Sequence, residues 1–159
     1  MNIKKSIKKS ILAIMLILAM NVTVLASEND LNRVADVSLL ANKGYSVKSL
    51  SADVKGNILN QGTAKITDNG NGSVNVYGAV LGSVVCDKMI LKLTLQRYSN
   101  GNWYNIRTFS DTAYNTSLLS KSYNVQVTRG YYYRVKAACV AQDGSITESK
   151  DPITDGIYI

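Results

Sequence analysis

Apolar and polar residues alternate along most of the chain after Lys55. The clearest stretch is residues 89–96, where Met, Leu, Leu and Leu alternate with Ile, Lys, Thr and Gln. A period of two places successive side chains on opposite faces of a strand, so this stretch predicts a β-strand with one buried face. Similar patterns predict strands at residues 62–68, 73–80, 102–109, 122–128, 131–141, 145–149 and 155–159.

Turn-forming residues separate these segments. Asp68-Asn-Gly-Asn-Gly72 and Asn100-Gly101 tolerate the positive φ that tight hairpin turns need, and Arg129-Gly130 and Asp143-Gly144 mark further turns. Residues 110–120 are rich in Ser, Thr and Asn and predict a looser connection. About seven short strands with few helical patterns predict an all-β fold, an antiparallel β-sandwich of the immunoglobulin or fibronectin type III kind. A closed barrel is the alternative.

The N-terminus has the three-part layout of a secretory signal. A lysine-rich start is followed by an apolar run over residues 11–20 and by the small-residue site Val24-Leu25-Ala26. We expect a signal helix over residues 1–26 that is cleaved between Ala26 and Ser27. The alternative is an uncleaved anchor, but the apolar run is shorter than the roughly 20 residues that a spanning helix needs. The protein is therefore expected to be secreted, with no stable membrane span after cleavage.

Cleavage of the leader would lower the net charge of the protein. The 159-residue chain has 18 Lys and Arg, 11 Asp and Glu and a formal net charge of +7. Four lysines lie in the leader, so its removal leaves 14 basic and 11 acidic side chains, a balance of +3. The remaining basic residues lack the clustering of a nucleic-acid face, and we expect no nucleic-acid partner.

Residues 27–55 form a separate N-terminal segment in this interpretation. Asp30 is a candidate N-cap and Gly44 a candidate stop, and between them Leu31, Val34, Val37 and Leu40 recur at three-residue spacing. A short helix and a flexible terminus both fit the segment. The predicted organisation is a signal peptide over 1–26, this segment over 27–55 and a β-sandwich domain over 56–159.

The chain has two cysteines, Cys86 and Cys139. Export to an oxidising environment permits a disulfide between them, which chain-entropy models value at roughly 3 to 4 kcal/mol. The alternative is two separate buried thiols that act as small hydrophobes. Cys139 has the core parity of its strand, whereas Cys86 shares the parity of Lys92, so the disulfide predicts a bulge near Asp87.

Several short motifs occur together between residues 72 and 157: Gly72 to Gly78, Asp87-Lys88, Leu91 to Tyr98, Asn100-Gly-Asn-Trp103, Tyr131-Tyr-Tyr-Arg-Val-Lys136, Asp143-Gly, Glu148-Ser and Thr154-Asp-Gly-Ile157. Together they resemble a family of small secreted Gram-positive bacterial proteins with a domain of unknown function. The resemblance covers residues 56–159 and implies a secreted β-sandwich without an assigned activity. The Tyr-x-Tyr-Arg-Val strand also looks like the penultimate strand of fibronectin type III modules, where a tyrosine hydroxyl bonds to the backbone at a corner.

The three consecutive tyrosines provide the first candidate for a binding surface. If Tyr131 and Tyr133 face inward with Val135, then Tyr132 lies outside beside Arg134. An exposed aromatic ring beside a guanidinium is typical of recognition surfaces. The alternative is a cross-strand aromatic pair that only stabilises the sheet.

Trp103 is the second candidate. Period two groups it on the outer face with Asn105 and Arg107 if Tyr104 and Ile106 are buried, whereas the opposite parity buries the indole. We interpret Trp103, Tyr132 and Arg134 as the candidate binding surface.

Composition limits the possible chemistry. Because the sequence has no histidine, Ser-His-Asp and Cys-His catalysis and imidazole metal ligands are excluded. The Asp68–Gly72 tract offers one carboxylate and is typical of a plain turn, so we predict no metal, cofactor or catalytic residue. The carboxylates that could form a hydrolytic pair show no pairing by spacing: Asp53, Asp87, Asp111, Asp143, Glu148, Asp151 and Asp155.

The sequence favours a noncatalytic binding or cell-surface interaction module whose partner is a cell-envelope glycan or a protein. One alternative is a carboxylate-dependent extracellular glycoside hydrolase, which needs two carboxyl groups at a set separation. The other is a small secreted toxin or antagonist.

Overall fold

A computed structural model describes residues 44–51 and 58–159 of the chain. These residues form seven strands and no helix, and every strand pair is antiparallel. The strands are β1 (Tyr45–Ser51), β2 (Leu59–Gly70), β3 (Ser73–Ser99), β4 (Asn102–Gln126), β5 (Tyr132–Asp143), β6 (Ile146–Lys150) and β7 (Ile157–Tyr158). The predicted all-β, antiparallel fold of about seven strands is confirmed. The expected signal helix and the cleavage site at Ala26 and Ser27 lie outside the described residues.

A long hairpin of β3 and β4 connects two layers of this sandwich-like fold. The first half of β3 pairs with β2, the second half pairs with β5, and β4 follows the other edge throughout. A register shift between Leu81 and Cys86 marks the change from one layer to the other. We call the layer with β1 and β2 the first layer, and the layer with β5, β6 and β7 the second layer.

The hairpin corrects two expectations about strand boundaries. The strands predicted at 73–80 and 89–96 are parts of the single strand β3, and the predicted loose stretch at 110–120 lies within β4. Serine and threonine at these positions occupy an edge strand, where exposed polar side chains fit the pleat as well as apolar ones. The Asn100-Gly101 turn is confirmed, with φ of 50° and 79°.

The core lies between the two layers. Inward side chains of β3 and β5 such as Leu93, Leu95 and Val135 are fully buried. Two glycines allow the layers to approach closely. A Cβ on Gly62 would lie 3.0 Å from Cβ of Cys139, and one on Gly78 would lie 2.5 Å from Cδ2 of Leu93.

Aromatic and polar contacts close the β4 side of the core. The rings of Phe109 and Tyr123, from the two halves of β4, stack at 4.0 Å with an interplanar angle of 3°. The Tyr123 hydroxyl donates a hydrogen bond to Asp111, which also lies 3.5 Å from Nζ of Lys121. These contacts hold the two halves of the strand against each other.

Tyr133 is the second residue of β5, beside the corner that leads into this strand. Its ring is buried, and its hydroxyl donates a hydrogen bond of 2.7 Å to the carbonyl oxygen of Thr128. Burial raises the pKa of this hydroxyl above its ordinary value. A tyrosine bonded to the backbone a few residues upstream is the arrangement known from sandwich corners.

The structure corrects the expectation of a helix or flexible segment for part of residues 27–55. Tyr45–Ser51 forms strand β1, which pairs with β2 along its whole length. Ser46 is its buried residue, and the Ser46 hydroxyl accepts a hydrogen bond of 3.0 Å from the amide of Asp155. In this edge strand the alternation is inverted, because Tyr45 and Val47 are exposed while Ser46 is buried, so the apolar residues do not mark the buried face. The β domain therefore includes residues upstream of the predicted boundary at 56.

The predicted disulfide is wrong. Cys86 and Cys139 are both buried free thiols. Cys139 is paired with Leu91, which is five residues along β3 from Cys86 and therefore about 16 Å away. A disulfide needs Cα atoms within about 7 Å. Burial raises the pKa of both thiols, that of Cys139 to about 12.

Candidate functional site

A β-bulge in β4 determines which side chains reach the outer face of the second layer. Leu95 pairs with Arg107, and the next residue of β3, Gln96, pairs with Asn105. Ile106 is therefore the extra residue of a bulge. Beyond it, the odd-numbered and even-numbered side chains of β4 exchange faces of the sheet. Trp103 reaches the outer face as expected, but Arg107 lies on the opposite face, and Tyr104 and Ile106 are exposed rather than buried.

Four aromatic side chains lie in a row across this outer face, which we call the aromatic row: Trp103, Tyr98, Tyr132 and Tyr158. The ring centroids of Tyr98 and Trp103 are 5.2 Å apart, and those of Tyr132 and Tyr158 are 5.0 Å apart. The pairing of Arg97 with Tyr133 places the next residues, Tyr98 and Tyr132, side by side. At about 4.8 Å per strand, the row extends over roughly 14 Å.

Arg134 lies on the same face and contacts the aromatic row. Its guanidinium carbon is 4.2 Å from the centroid of the Trp103 ring, a cation–π distance. Its Nε donates a hydrogen bond of 2.8 Å to Oε1 of Gln96, and Nε2 of Gln96 donates one of 2.8 Å to Oδ1 of Asn105. Burial lowers the pKa of Arg134, but a guanidinium stays protonated in proteins. A fixed cation therefore lies against the indole.

A polar pocket of about 390 Å³ adjoins the aromatic row. Gln96 and Asn105 belong to its wall and are two residues from Tyr98 and Trp103 along their strands. The pocket extends from there along β3 and β5. Its lining residues are Lys92, Thr94, Gln96, Asn105, Lys136, Ala138 and Asp151.

The structure brings all three predicted surface residues together. Tyr132 and Arg134 are two residues apart on one strand, and Arg134 packs on Trp103 from the far side of β3. Both alternatives weighed for Tyr132 apply, because it forms an aromatic cross-strand pair with Tyr158 and also lies on the candidate surface. Trp103 and Tyr132 are half-buried rather than fully exposed.

Sequence reasoning missed Tyr98, Tyr158 and the pocket. The signal for Tyr98 was available, because a two-residue turn at Asn100-Gly101 places Tyr98 opposite Trp103. Tyr158 reaches the row through a pairing with Tyr132, 26 residues earlier in the chain. No local pattern indicates that contact.

Three of the seven carboxylates considered for hydrolysis have structural partners: Asp111, through Tyr123 and Lys121, and Asp87 and Glu148. Asp87 accepts a hydrogen bond of 2.8 Å from the amide of Gly144, and Glu148 accepts bonds from the amides of Ile58 and Leu59 at 3.2 and 2.8 Å. Asp151 is the carboxylate among the described residues that line the pocket. Asp53 lies outside the described residues.

Two features are absent from the described ranges. Residues 44–51 and 58–159 contain no helix that could span a bilayer. The same residues contain no group of three His, Cys, Asp or Glu side chains arranged to hold a metal ion.

Comparison with known proteins assigns no family. No family model matches the chain, and no curated protein sequence matches it. Among solved structures, it is similar to the sporulation control protein Spo0M from Bacillus subtilis, with 11% sequence identity and a TM-score of 0.30. The alignment covers 73% of this chain and 50% of that chain, so the chain spans about half the length of Spo0M. A likeness at this level carries no inference about function.

Proposed function

We propose that the protein is an exported, noncatalytic module that binds a saccharide polymer through the outer face of its second layer. The observation that supports this proposal is the aromatic row beside a polar pocket. Aromatic rings pack against the apolar C–H faces of sugars, while amides and hydroxyls exchange hydrogen bonds with sugar hydroxyl groups. Trp103 and Tyr132 supply rings, and Gln96 and Asn105 supply amides next to them.

The composition of the pocket favours a glycan over a protein partner. The centre of a protein interface is typically apolar and depleted of charge. Here the lining includes two lysines, one aspartate, two amides and a threonine, with Ala138 as its apolar side chain. Such a surface suits a hydroxyl-rich ligand better than the apolar anchor of a protein partner.

Binding is also favoured over hydrolysis. Hydrolysis of a glycosidic bond by the usual mechanisms requires two carboxyl groups that flank the bond. The described lining of the pocket offers Asp151 alone.

The proposal is tested by binding assays on purified cell walls and a panel of soluble polysaccharides. We expect the wild-type protein to bind at least one polymer, and Trp103→Ala or Tyr132→Ala to weaken that binding by about tenfold or more, the value of one good contact. Asn75→Ala, on the outer face of the first layer, is the matched control and should bind like the wild type. Absence of binding to every polymer, or equal binding by all four proteins, would overturn the proposal.

A further inference from the structure

The pocket beside the aromatic row contains two lysines without an ion pair. Across the residues that the structure describes, the salt bridge within 4.0 Å is that of Lys121 and Asp111, which does not involve Lys92 or Lys136. Lys92 is paired with Ala138, and Thr94 is paired with Lys136, so the two lysines are diagonal neighbours on adjacent strands. Diagonal neighbours have Cβ atoms about 7 to 8 Å apart, within the combined reach of two lysine side chains.

The charges around the pocket are unbalanced. Lys92, Lys136 and the adjacent Arg134 provide three cations, and Asp151 is the anion among the described lining residues. Because Arg134 is bound to Gln96 and packed on Trp103, its orientation is fixed. Each of the two ammonium groups carries three hydrogen-bond donors, and within the described ranges neither Lys92 nor Lys136 has a side-chain hydrogen bond or an ion pair, so both are open to a ligand.

We propose that the ligand of the aromatic row is an acidic saccharide polymer, whose carboxylate or phosphate group enters the pocket between Lys92 and Lys136. This inference rests on the proposed function and specifies its substrate class. The sugar rings lie along Trp103, Tyr98 and Tyr132, and the anionic substituent extends past Gln96 and Asn105 to the two ammonium groups. Charge-assisted hydrogen bonds to both lysines select the acidic polymer over its neutral counterpart.

Asp151 restricts where an anionic group can lie in the pocket. It belongs to the edge segment that follows β6 and lies on the opposite wall from β3. Its carboxylate can accept hydrogen bonds from sugar hydroxyl groups and repels an anion placed on its own side. An anionic group is therefore directed toward the lysines.

The test compares acidic saccharide polymers with neutral ones. Polygalacturonate and its methyl ester are a pair that differs in carboxylate charge, a phosphomannan and its dephosphorylated form are the corresponding phosphate pair, and dextran and xylan are further neutral polymers. Calorimetry is performed on the wild type and on Lys92→Gln/Lys136→Gln. The control is Lys48→Gln/Lys65→Gln, which changes the net charge equally on strands of the first layer.

We expect the wild type to bind an acidic polymer at least about tenfold more tightly than a neutral one, and added salt to weaken the acidic complex. The Lys92/Lys136 variant should lose this preference while it keeps the affinity for any neutral polymer, and the control variant should keep the preference. The polymer that binds distinguishes carboxylate from phosphate.

Two results would overturn the inference. Equal binding of acidic and neutral polymers, or equal loss in both double variants, would leave the saccharide-binding proposal standing and remove the charge selection. Binding to no polymer, acidic or neutral, would overturn the saccharide-binding proposal itself.

Discussion

The two outer faces of the sandwich differ in how their polar side chains are satisfied. On the first layer, Nδ2 of Asn75 donates to Oγ of Ser122 and to Oδ1 of Asn124, both at 2.8 Å, and Asn69 donates to the same Asn124 oxygen at 3.0 Å. These short side chains form a network that is closed on itself. On the second layer, four rings and an arginine lie beside two lysines without an ion pair.

This difference shows that one scaffold can carry two surfaces of different chemistry. Both faces belong to one hairpin and cover one core. Because alternate side chains of each strand point away from that core, the outward positions of either layer can carry different residue types without disturbing the packing. The first face stabilises the sheet through its own hydrogen bonds. On the second face, the ammonium groups of Lys92 and Lys136 have no partner among the described residues, which is the property that the proposed binding face requires.

The largest expected effect on stability comes from a substitution that overpacks the core shared by both faces. Gly78→Val places a Cβ 2.5 Å from Cδ2 of Leu93 and 3.1 Å from the carbonyl oxygen of Thr63, so the layers must separate. We expect the free energy of unfolding to fall by about 3 kcal/mol or more, as measured by urea denaturation. Ala79→Val adds bulk to the outer side of the same strand and should change stability by less than about 0.5 kcal/mol. Equal effects of the two substitutions would contradict the layer packing.

The next effect is a loss of stability in alkali. The thiol of Cys139 has a pKa of about 12 in the folded protein, raised by burial from 9.0. Above pH 9 the unfolded chain releases this proton while the folded protein retains it, so stability is complete below pH 9 and falls as pH rises toward 12. A single group of this kind can lower the free energy of unfolding by at most about 1.4 kcal/mol per pH unit.

Cys139→Ala is the variant that isolates this thiol. Denaturant unfolding at a series of pH values should show a shallower decline for the variant, and its affinity for ligand at neutral pH should match that of the wild type. Both proteins should lose further stability above pH 10, because burial also raises the pKa of Tyr133. Identical slopes between pH 9 and 10 would show that the Cys139 thiol ionises freely.

A smaller effect separates the two faces directly. Asn75→Ala removes hydrogen bonds within the first face and should cost about 1 kcal/mol of stability without changing binding. Gln96→Ala releases Arg134 and Asn105 on the second face. It should cost less stability, because Gln96 takes part in two side-chain hydrogen bonds and Asn75 in three, but it should weaken ligand binding about fivefold or more. If Gln96→Ala left the affinity unchanged, Gln96 would not position the site.

The sequence predicted the fold better than the site. Alternation and the turns at Asn100-Gly101 and Asp143-Gly144 predict most of the strands but miss β1 and the middle parts of β3 and β4. The alternation in residues 131–141 places Tyr132 and Arg134 on one face. The facing of Trp103 could not be derived from β4 alone, because an unpaired Ile106 interrupts the period. Lys92, Lys136 and Asp151 come from three segments that only tertiary pairing brings together.

The smallest expected effect tests how Trp103 reaches the outer face. Ile106 has no partner in β3, and its deletion joins Asn105 directly to Arg107. Asn105 can then stay paired with Gln96, and Arg107 with Leu95. The Asn100-Gly101 turn is unchanged, so Trp103 stays opposite Tyr98. We expect a loss of less than about 1 kcal/mol by urea denaturation and a Kd within about twofold of wild type. Deletion of Thr94, which is paired on both sides by β4 and β5, has no bulge to absorb it and should abolish folding. A folded Ile106 deletion variant that no longer binds would show that the local twist of the bulge, rather than the register of the hairpin, orients the indole.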